Sequence, residues 1–110
     1  MIVGAGRIGA SIAKLLHHSG DFEILVADHD TAALDRLISS IPVRTLQLEA
    51  EWESKRLTAE LWDFAKGRRA AVLSACSFDV NRHIARAALD AGVSYFDLTE
   101  DVETTRIIRE

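Results

Sequence analysis

The N-terminal stretch Met1-Ile2-Val3-Gly4-Ala5-Gly6-Arg7-Ile8-Gly9 decides the fold, because it sets three glycines at the spacing G-x-G-x-x-G directly after apolar residues. At this spacing Gly4 permits a tight turn, Gly6 lets the backbone approach a phosphate group, and Gly9 lets a following helix pack closely on a strand. The glycines alone are weak evidence. An apolar strand end before them and an amphipathic helix after them supply the context that the dinucleotide-binding fingerprint requires.

The residues after Gly6 have the pattern of a helix. Its apolar stripe, predicted to face a sheet, consists of Ile8, Ile12, Leu15 and Leu16. The opposite face carries Arg7, Ser11, Lys14 and His18. The amino end of such a helix directs unpaired backbone N–H groups and the positive end of its dipole at the glycine turn. We therefore expect an anionic phosphate beside Gly6, Arg7 and Ile8, with Arg7 adding positive charge.

Asp28 ends the run Phe22-Glu23-Ile24-Leu25-Val26-Ala27-Asp28, whose continuous apolar centre is typical of a parallel strand covered on both faces. It follows Gly9 at about the 20-residue spacing at which a carboxylate accepts hydrogen bonds from the adenosine ribose hydroxyls. A ribose 2′-phosphate would meet like charge, and neither His29 nor Asp30 supplies the arginine or lysine that accommodates it. The sequence therefore predicts NAD rather than NADP, with Asp28 and His29 at the ribose.

The alternative is that Asp28 is a turn or helix-capping residue. Asp30 and Thr31 are better placed to cap the next helix, because they directly precede its apolar stripe. That stripe consists of Leu34, Leu37, Ile38 and Ile41. The spacing from the glycines favours the ribose role for Asp28.

Composition restricts the classes of protein. At 110 residues the chain is long enough for one domain with a two-sided sheet, and short for an enzyme with separate cofactor and substrate lobes. A net charge of −4 and a pI near 5.5 offer no electrostatic attraction to nucleic acid or acidic membranes. No apolar run approaches the roughly 20 residues of a membrane span, and no secretory signal pattern is found. The single cysteine excludes an internal disulfide and fits the reducing cytoplasm, where we expect the protein.

The predicted first strand is short. Only Met1, Ile2 and Val3 precede Gly4, whereas strands commonly run about 5 or 6 residues. Because the first strand is central in this kind of sheet, we expect the natural chain to begin upstream of Met1.

Beyond Asp28, strand and helix patterns keep alternating without a repeat or an internal linker. The predicted strands occupy residues 22–28, 43–48, 70–76 and 94–98. The predicted helices that follow Asp28 cover residues 34–41, 57–65, 80–91 and 103–109. This alternation predicts an α/β fold: a Rossmann-type doubly wound parallel sheet of about five strands in the order 3-2-1-4-5, with helices on both faces. Ligand contacts are expected from the loops after strands one, two and four, beside the point where the strand order reverses.

Two stretches in the second half carry a more specific pattern: Ser74-Ala75-Cys76-Ser77-Phe78-Asp79-Val80-Asn81, and Ala91-Gly92-Val93-Ser94-Tyr95-Phe96-Asp97-Leu98-Thr99-Glu100-Asp101. With the N-terminal glycines, they resemble the cofactor-binding domain of the saccharopine dehydrogenase family, including its lysine dehydrogenase relatives, over nearly the whole chain. The resemblance implies an oxidoreductase that moves hydride between a nicotinamide cofactor and the C–N centre of an amino acid. It also implies that residues 1–110 form the NAD(P)-binding domain, and that a second domain outside this chain contacts the amino-acid substrate.

The resemblance further implies positions for the cofactor. The residues expected to border it are Ala75, Cys76, Ser77 and Phe78. Glu49, after the third strand, would lie near the adenine. The family usually has proline where Ser77 stands, so serine leaves this loop freer and adds a hydroxyl. Asn81 is interpreted as a helix-entry or turn residue rather than a reactive group.

Cys76 has a second interpretation, as a nucleophile. A lone cysteine at the end of a buried strand is more often a small packing residue, and only a depressed thiol pKa would favour chemistry. The histidines form no metal-binding pair, because His17 and His18 are neighbours on a helix and point about 100° apart. We therefore expect neither a catalytic residue nor a metal site in this chain.

Two other classes of function stay open. Nucleotide-sensing regulatory domains of potassium channels and transporters have a similar glycine turn, helix and strand-end acid, and they shift a conformational equilibrium without chemistry. An orphaned domain that has lost its ligand would act as an interaction module. Trp52 and Trp62 are interpreted as packing or interface residues, and a homodimer is one expected assembly.

Overall fold

The computed structural model describes residues 1–97, in which five strands alternate with four helices. The strands are β1 (Ile2–Val3), β2 (Leu25–Asp28), β3 (Arg44–Gln47), β4 (Ala71–Ser74) and β5 (Ser94–Asp97). The helices are α1 (Arg7–Ser19), α2 (Thr31–Ile38), α3 (Ser54–Ala65) and α4 (Phe78–Ala91). The predicted alternation is confirmed over these residues, and the helix predicted at residues 103–109 lies outside them.

All five strands are parallel and form one sheet in the order β3-β2-β1-β4-β5. β1 is central, since Ile2 pairs with Val26 of β2 on one side and with Leu73 of β4 on the other. The predicted order 3-2-1-4-5 is therefore confirmed. Because the strand order reverses beside β1, the loops after β1, β2 and β4 meet at the carboxyl edge of the sheet.

The sheet separates two apolar cores. On one face, α1 and α2 pack over a core that includes Ile2, Val26 and Leu37. On the other face, α3 and α4 pack over a core that includes Leu57 and Ile84. The neighbouring strands β1 and β2 are buried from both sides, which explains the continuous apolar centre of the second strand. β3 lies at an edge of the sheet, as its mixed polarity predicts.

The apolar stripe predicted for α1 is wrong in two positions. Ile8 and Leu15 are 57% and 70% exposed, whereas Gly9 and Ala13 are buried against the sheet. The reason is the close approach of α1 to the sheet, which leaves room on the contact face only for small residues. Ile12 and Leu16 pack at the margin of this contact.

The two tryptophans do not contribute to the cores. Trp52 and Trp62 are both among the exposed large apolar side chains of the described residues. The packing interpretation is thus wrong for both, and the interface interpretation stays a prediction.

Two glycines are required for the turn between β1 and α1. Gly4 has φ +109, a conformation that other residues rarely adopt, and an added Cβ would lie 2.8 Å from the carbonyl oxygen of Ala75. A Cβ on Gly9 would overlap the carbonyl oxygen of Gly4. Both glycines are therefore required by the packing of the protein itself, and Gly9 sets how closely α1 approaches β1.

Replacing Gly9 with alanine is expected to destabilise the domain by about 3 kcal/mol or more, because the added methyl group forces α1 away from β1. Gly6→Ala is the matched control, since a Cβ on Gly6 meets no atom within 4 Å. Urea denaturation followed by circular dichroism measures both variants. Gly6→Ala should unfold near the wild-type midpoint, and a Gly9→Ala midpoint equal to it would contradict this description of the turn.

Candidate functional site

The loops after β1, β2 and β4, together with residues 48–51 after β3, line a cleft of about 450 Å³ at the carboxyl edge of the sheet. A volume of this size is typical of sites for small ligands. Eight of the residues predicted to bind a cofactor line this cleft: Gly4, Gly6, Asp28, His29, Glu49, Ala75, Cys76 and Ser77. Residues far apart in sequence are thus brought together at the place predicted from the strand order.

Gly6 forms the entrance of α1 and lies against the cleft. It is the N-cap residue with φ −70 and ψ −168, and no side chain caps this end of the helix. Because an added Cβ would meet no atom within 4 Å, the packing of the protein does not require glycine at this position. Glycine does leave the first N–H groups of α1 open to a group in the cleft. The arrangement suits an anion placed directly against the backbone.

Asp28 links the glycine turn to the start of α2. Its Oδ2 accepts a hydrogen bond from the Ala5 N–H at 2.6 Å, and its Oδ1 accepts one from the Asp30 N–H at 2.8 Å. Asp28 therefore stabilises both turns, as the alternative interpretation of this residue predicts. Oδ1 also lies 3.4 Å from Nδ1 of His29. Oδ2 has a second lone pair and the side chain is 11% exposed, so a hydrogen bond from a ribose hydroxyl remains compatible with it. The ribose role stays a prediction.

The predicted helix cap at Asp30 is confirmed. Its Oδ1 accepts a hydrogen bond from the Ala32 N–H at 3.0 Å, at the N-cap of α2. Asp28, the last residue of β2, is therefore not the capping residue of α2.

The lining of the cleft includes acidic residues besides Asp28. Glu49 lines it, and the Glu49 N–H donates to Oε1 of Glu53 at 2.9 Å, which helps to lower the pKa of the Glu53 carboxyl. Glu51 also lines the cleft, although the sequence did not single it out. Together with Asp28, Glu49 and Glu51 give the cleft three carboxylates. Because these carboxylates accept hydrogen bonds and repel anions, the lining suits hydrogen-bond donors on a ligand better than an additional phosphate.

Three residues of the fingerprint lie beside the cleft rather than in its lining. Arg7 lines a second groove, between α1 and α2. Ile8 is exposed, and Gly9 is buried beneath the turn, where it has the packing role predicted for it. If Arg7 and Ile8 contribute to the cleft, they do so through their backbone N–H groups at the amino end of α1.

A buried polar pair supports the loop after β4. Ser74 donates its hydroxyl to Oδ1 of Asn81 at 2.5 Å, and both side chains are buried. The Cys76 N–H donates to the Ser74 oxygen at 3.4 Å. Asn81 lies in the first turn of α4, in agreement with its predicted role at the helix entry. Sequence reasoning missed Ser74, and the available signal was a polar residue at the last position of an apolar strand.

Cys76 has the properties of a packing residue. It is half-buried, and its Sγ lies 3.4 Å from the carbonyl oxygen of Val3. Burial raises the pKa of the thiol, and the negative charges of Asp28 and Glu49 act in the same direction. The thiol is therefore protonated at neutral pH, which disfavours the nucleophile interpretation.

Alkylation of Cys76 by iodoacetamide is expected to be slower in the folded chain than in the urea-unfolded chain at any pH between about 7 and 9. The raised thiol pKa leaves less thiolate at each pH, and burial limits access. Mass spectrometry of timed samples gives both rates. A folded-state rate at neutral pH that exceeds the unfolded-state rate would instead indicate an activated thiol.

No group of histidine, cysteine and acidic side chains within residues 1–97 is arranged to hold a metal ion. In the same part of the chain, no helix is both long enough and apolar enough to cross a membrane.

A larger cleft of about 660 Å³ lies at the opposite, amino edge of the sheet. Its lining includes Phe22, Phe64 and Phe96 and none of the predicted cofactor residues. Doubly wound sheets bind their ligands outside the carboxyl ends of the strands. The carboxyl-edge cleft is therefore the candidate site despite its smaller volume.

The parallel sheet, the glycine turn and the strand-end carboxylate define a Rossmann-type nucleotide-binding domain. More closely, the chain belongs to the saccharopine dehydrogenase NADP-binding domain family, which it matches over residues 1–109. The family predicted from the sequence is confirmed. Membership supports a nicotinamide dinucleotide as the ligand class. The description of the family names NADP, whereas Asp28 predicts NAD.

Two solved structures are similar to the chain, and the first of them shares its fold. The TrkA-N domain of the inner membrane protein ybaL from Escherichia coli is 16% identical, with a TM-score of 0.64 over 98% of this chain and 91% of that chain. The WlbA dehydrogenase from Chromobacterium violaceum, in complex with NADH and UDP-GlcNAcA, is 18% identical, with a TM-score of 0.49 over 88% of this chain and 33% of that chain. No curated protein matches the sequence. At these identities the structural likeness concerns the fold alone.

Proposed function

We propose that the carboxyl-edge cleft binds a nicotinamide dinucleotide and that the chain is the cofactor-binding part of an amino-acid dehydrogenase. The observation that carries the proposal is the position of Gly6. This residue opens the uncapped amino end of α1 to the cleft, directly beside the Asp28 carboxylate, although nothing in the protein's own packing requires glycine there. Membership of the saccharopine dehydrogenase family supports the same assignment.

Each part of the cleft matches one part of the ligand. The pyrophosphate lies against the backbone of Gly6 and the first N–H groups of α1. The adenosine ribose donates its hydroxyls to Asp28, next to His29, and the adenine lies towards Glu49. The nicotinamide end follows the loop of residues 75–77, whose position is supported by Ser74 and Asn81.

The bound cofactor supplies the redox chemistry, by exchanging hydride with the C–N centre of an amino acid. This chain contributes binding and orientation. We propose that a second domain contacts the amino acid, and that the 110-residue chain alone turns over neither lysine nor saccharopine. The location proposed for the protein is the cytoplasm.

We favour NAD over NADP because of charge. The Asp28 carboxylate lies where the ribose is placed, and Glu49 and Glu51 line the same cleft. A 2′-phosphate would add negative charge beside them.

Calorimetric titration of the 110-residue chain with NAD, NADP and ADP-ribose tests both the dinucleotide binding and the preference for NAD over NADP. The wild-type chain should bind NAD more tightly than NADP. Asp28→Asn removes the charge and keeps one side-chain oxygen, which can accept one of the two backbone N–H bonds that Asp28 accepts. It should reduce the NAD preference by about tenfold, which corresponds to about 1.4 kcal/mol.

The matched control is Asp35→Ala, which removes one negative charge from the exposed surface of α2. It should leave the preference unchanged. An absence of binding by all three ligands would contradict the dinucleotide assignment and favour an interaction module. Binding with no preference in the wild-type chain would contradict only the role assigned to Asp28.

The sensor interpretation is the weaker alternative. The shared fold of the TrkA-N domain does not favour it, because nucleotide-binding domains of many functions have this fold. Family membership supports the dehydrogenase instead.

A further inference from the structure

A groove of about 540 Å³ runs between α1 and α2, outside the dinucleotide cleft. Arg7 and Lys14 of α1 and Arg36 of α2 line it, together with small or apolar residues such as Ala33 and Leu37. None of its lining residues is acidic. This is a concentration of positive charge in a chain whose net charge is −4.

The three cations of the groove are not neutralised by the described part of the protein. Within residues 1–97, the lysine and arginine side chains that form ion pairs with acidic residues are those of Arg56, Lys66, Arg68 and Arg86. The three cations of the groove are not among them. Helix α1 itself contains no carboxylate. Like charges gathered on one surface repel each other, and a bound anion would relieve that repulsion.

The groove and the dinucleotide cleft meet at the glycine turn. Gly6 lines both of them. Ala5 lines the groove, and its N–H donates to Asp28, which lines the cleft. A ribose held at Asp28 would therefore lie next to the basic groove, whereas Glu49 and Glu51 line the cleft and not the groove.

We propose that the groove between α1 and α2 binds a phosphomonoester dianion through Arg7, Lys14 and Arg36. Guanidinium groups donate paired hydrogen bonds to phosphate oxygens, and the lysine adds a further positive charge. The phosphate has two sources: the 2′-phosphate of a dinucleotide held in the cleft, or the phosphate of a separate ligand. Only the first source rests on the proposed function. In that case the groove offsets part of the repulsion from Asp28 and reduces the preference for NAD.

Charge reversal separates the two sources. Arg36→Glu changes an exposed residue of the groove, and Lys14→Glu provides a second variant on the other helix. The matched control is Arg44→Glu, because Arg44 is exposed at the amino end of β3, away from the groove. The folded 110-residue chain is titrated by calorimetry with NAD, with NADP and with inorganic phosphate, at low and at raised salt.

If the source is the dinucleotide, Arg36→Glu and Lys14→Glu should each lower the affinity for NADP by about tenfold and change the affinity for NAD by less than about twofold. If the source is a separate ligand, the same variants should lower the affinity for inorganic phosphate and leave the ratio of NADP to NAD affinity unchanged. In either case, raised salt should lower the affinity for the ligand that the variants affect.

Equal effects of Arg36→Glu, Lys14→Glu and Arg44→Glu on all three ligands would overturn the groove as a site. Failure of the wild-type chain to bind either dinucleotide would contradict the proposed function but not the groove, because the phosphate titration tests the groove separately. Failure to bind both phosphate and NADP would overturn the groove even if NAD binds.

Discussion

The close approach of α1 to β1 at Gly9 is the constraint on which the rest of the structure depends. The carbonyl oxygen of Gly4 occupies the space that any Cβ at Gly9 would need. The helix therefore begins immediately beyond the carboxyl end of β1, and its uncapped amino end opens at Gly6 into the cleft. Asp28 holds this arrangement in place, because its carboxylate accepts a hydrogen bond from the Ala5 N–H. A packing requirement in the first turn thus places the positive end of the α1 dipole at the candidate site.

Opposite charges flank the glycine turn. The cleft on one side is lined by Asp28, Glu49 and Glu51, whereas the groove on the other side is lined by Arg7 and Arg36 together with Lys14. Carboxylates accept hydrogen bonds from the hydroxyl groups of a sugar, and guanidinium groups bind phosphate oxygens. The same turn can therefore sort the neutral and anionic parts of one ligand. Asp28 stabilises the turn and lines the cleft, so its structural role is compatible with the binding role proposed for it.

The strand order and the position of the cleft were predictable from the sequence, because alternating patterns and right-handed crossovers leave few topologies. The packing face of α1 was not. The glycine spacing predicted the close contact at Gly9. Ala13, however, contributes little to an apolar pattern and still faces the sheet, while Ile8 and Leu15 are exposed. The lining by Glu51, the direction of Arg7 and the pairing of Ser74 with Asn81 depend on contacts between segments that are distant in sequence. No local spacing encodes such contacts.

The most direct test of the central claim is a titration of the isotope-labelled chain with NAD, followed by the NMR shifts of its backbone amides. The account predicts the largest shifts at Gly6, Arg7 and Ile8, where the uncapped end of α1 meets the pyrophosphate, and at Asp28 and His29 beside the ribose. Shifts concentrated instead at Phe22 and Phe96, in the amino-edge cleft, would contradict it. So would binding that leaves the amides of the glycine turn unshifted.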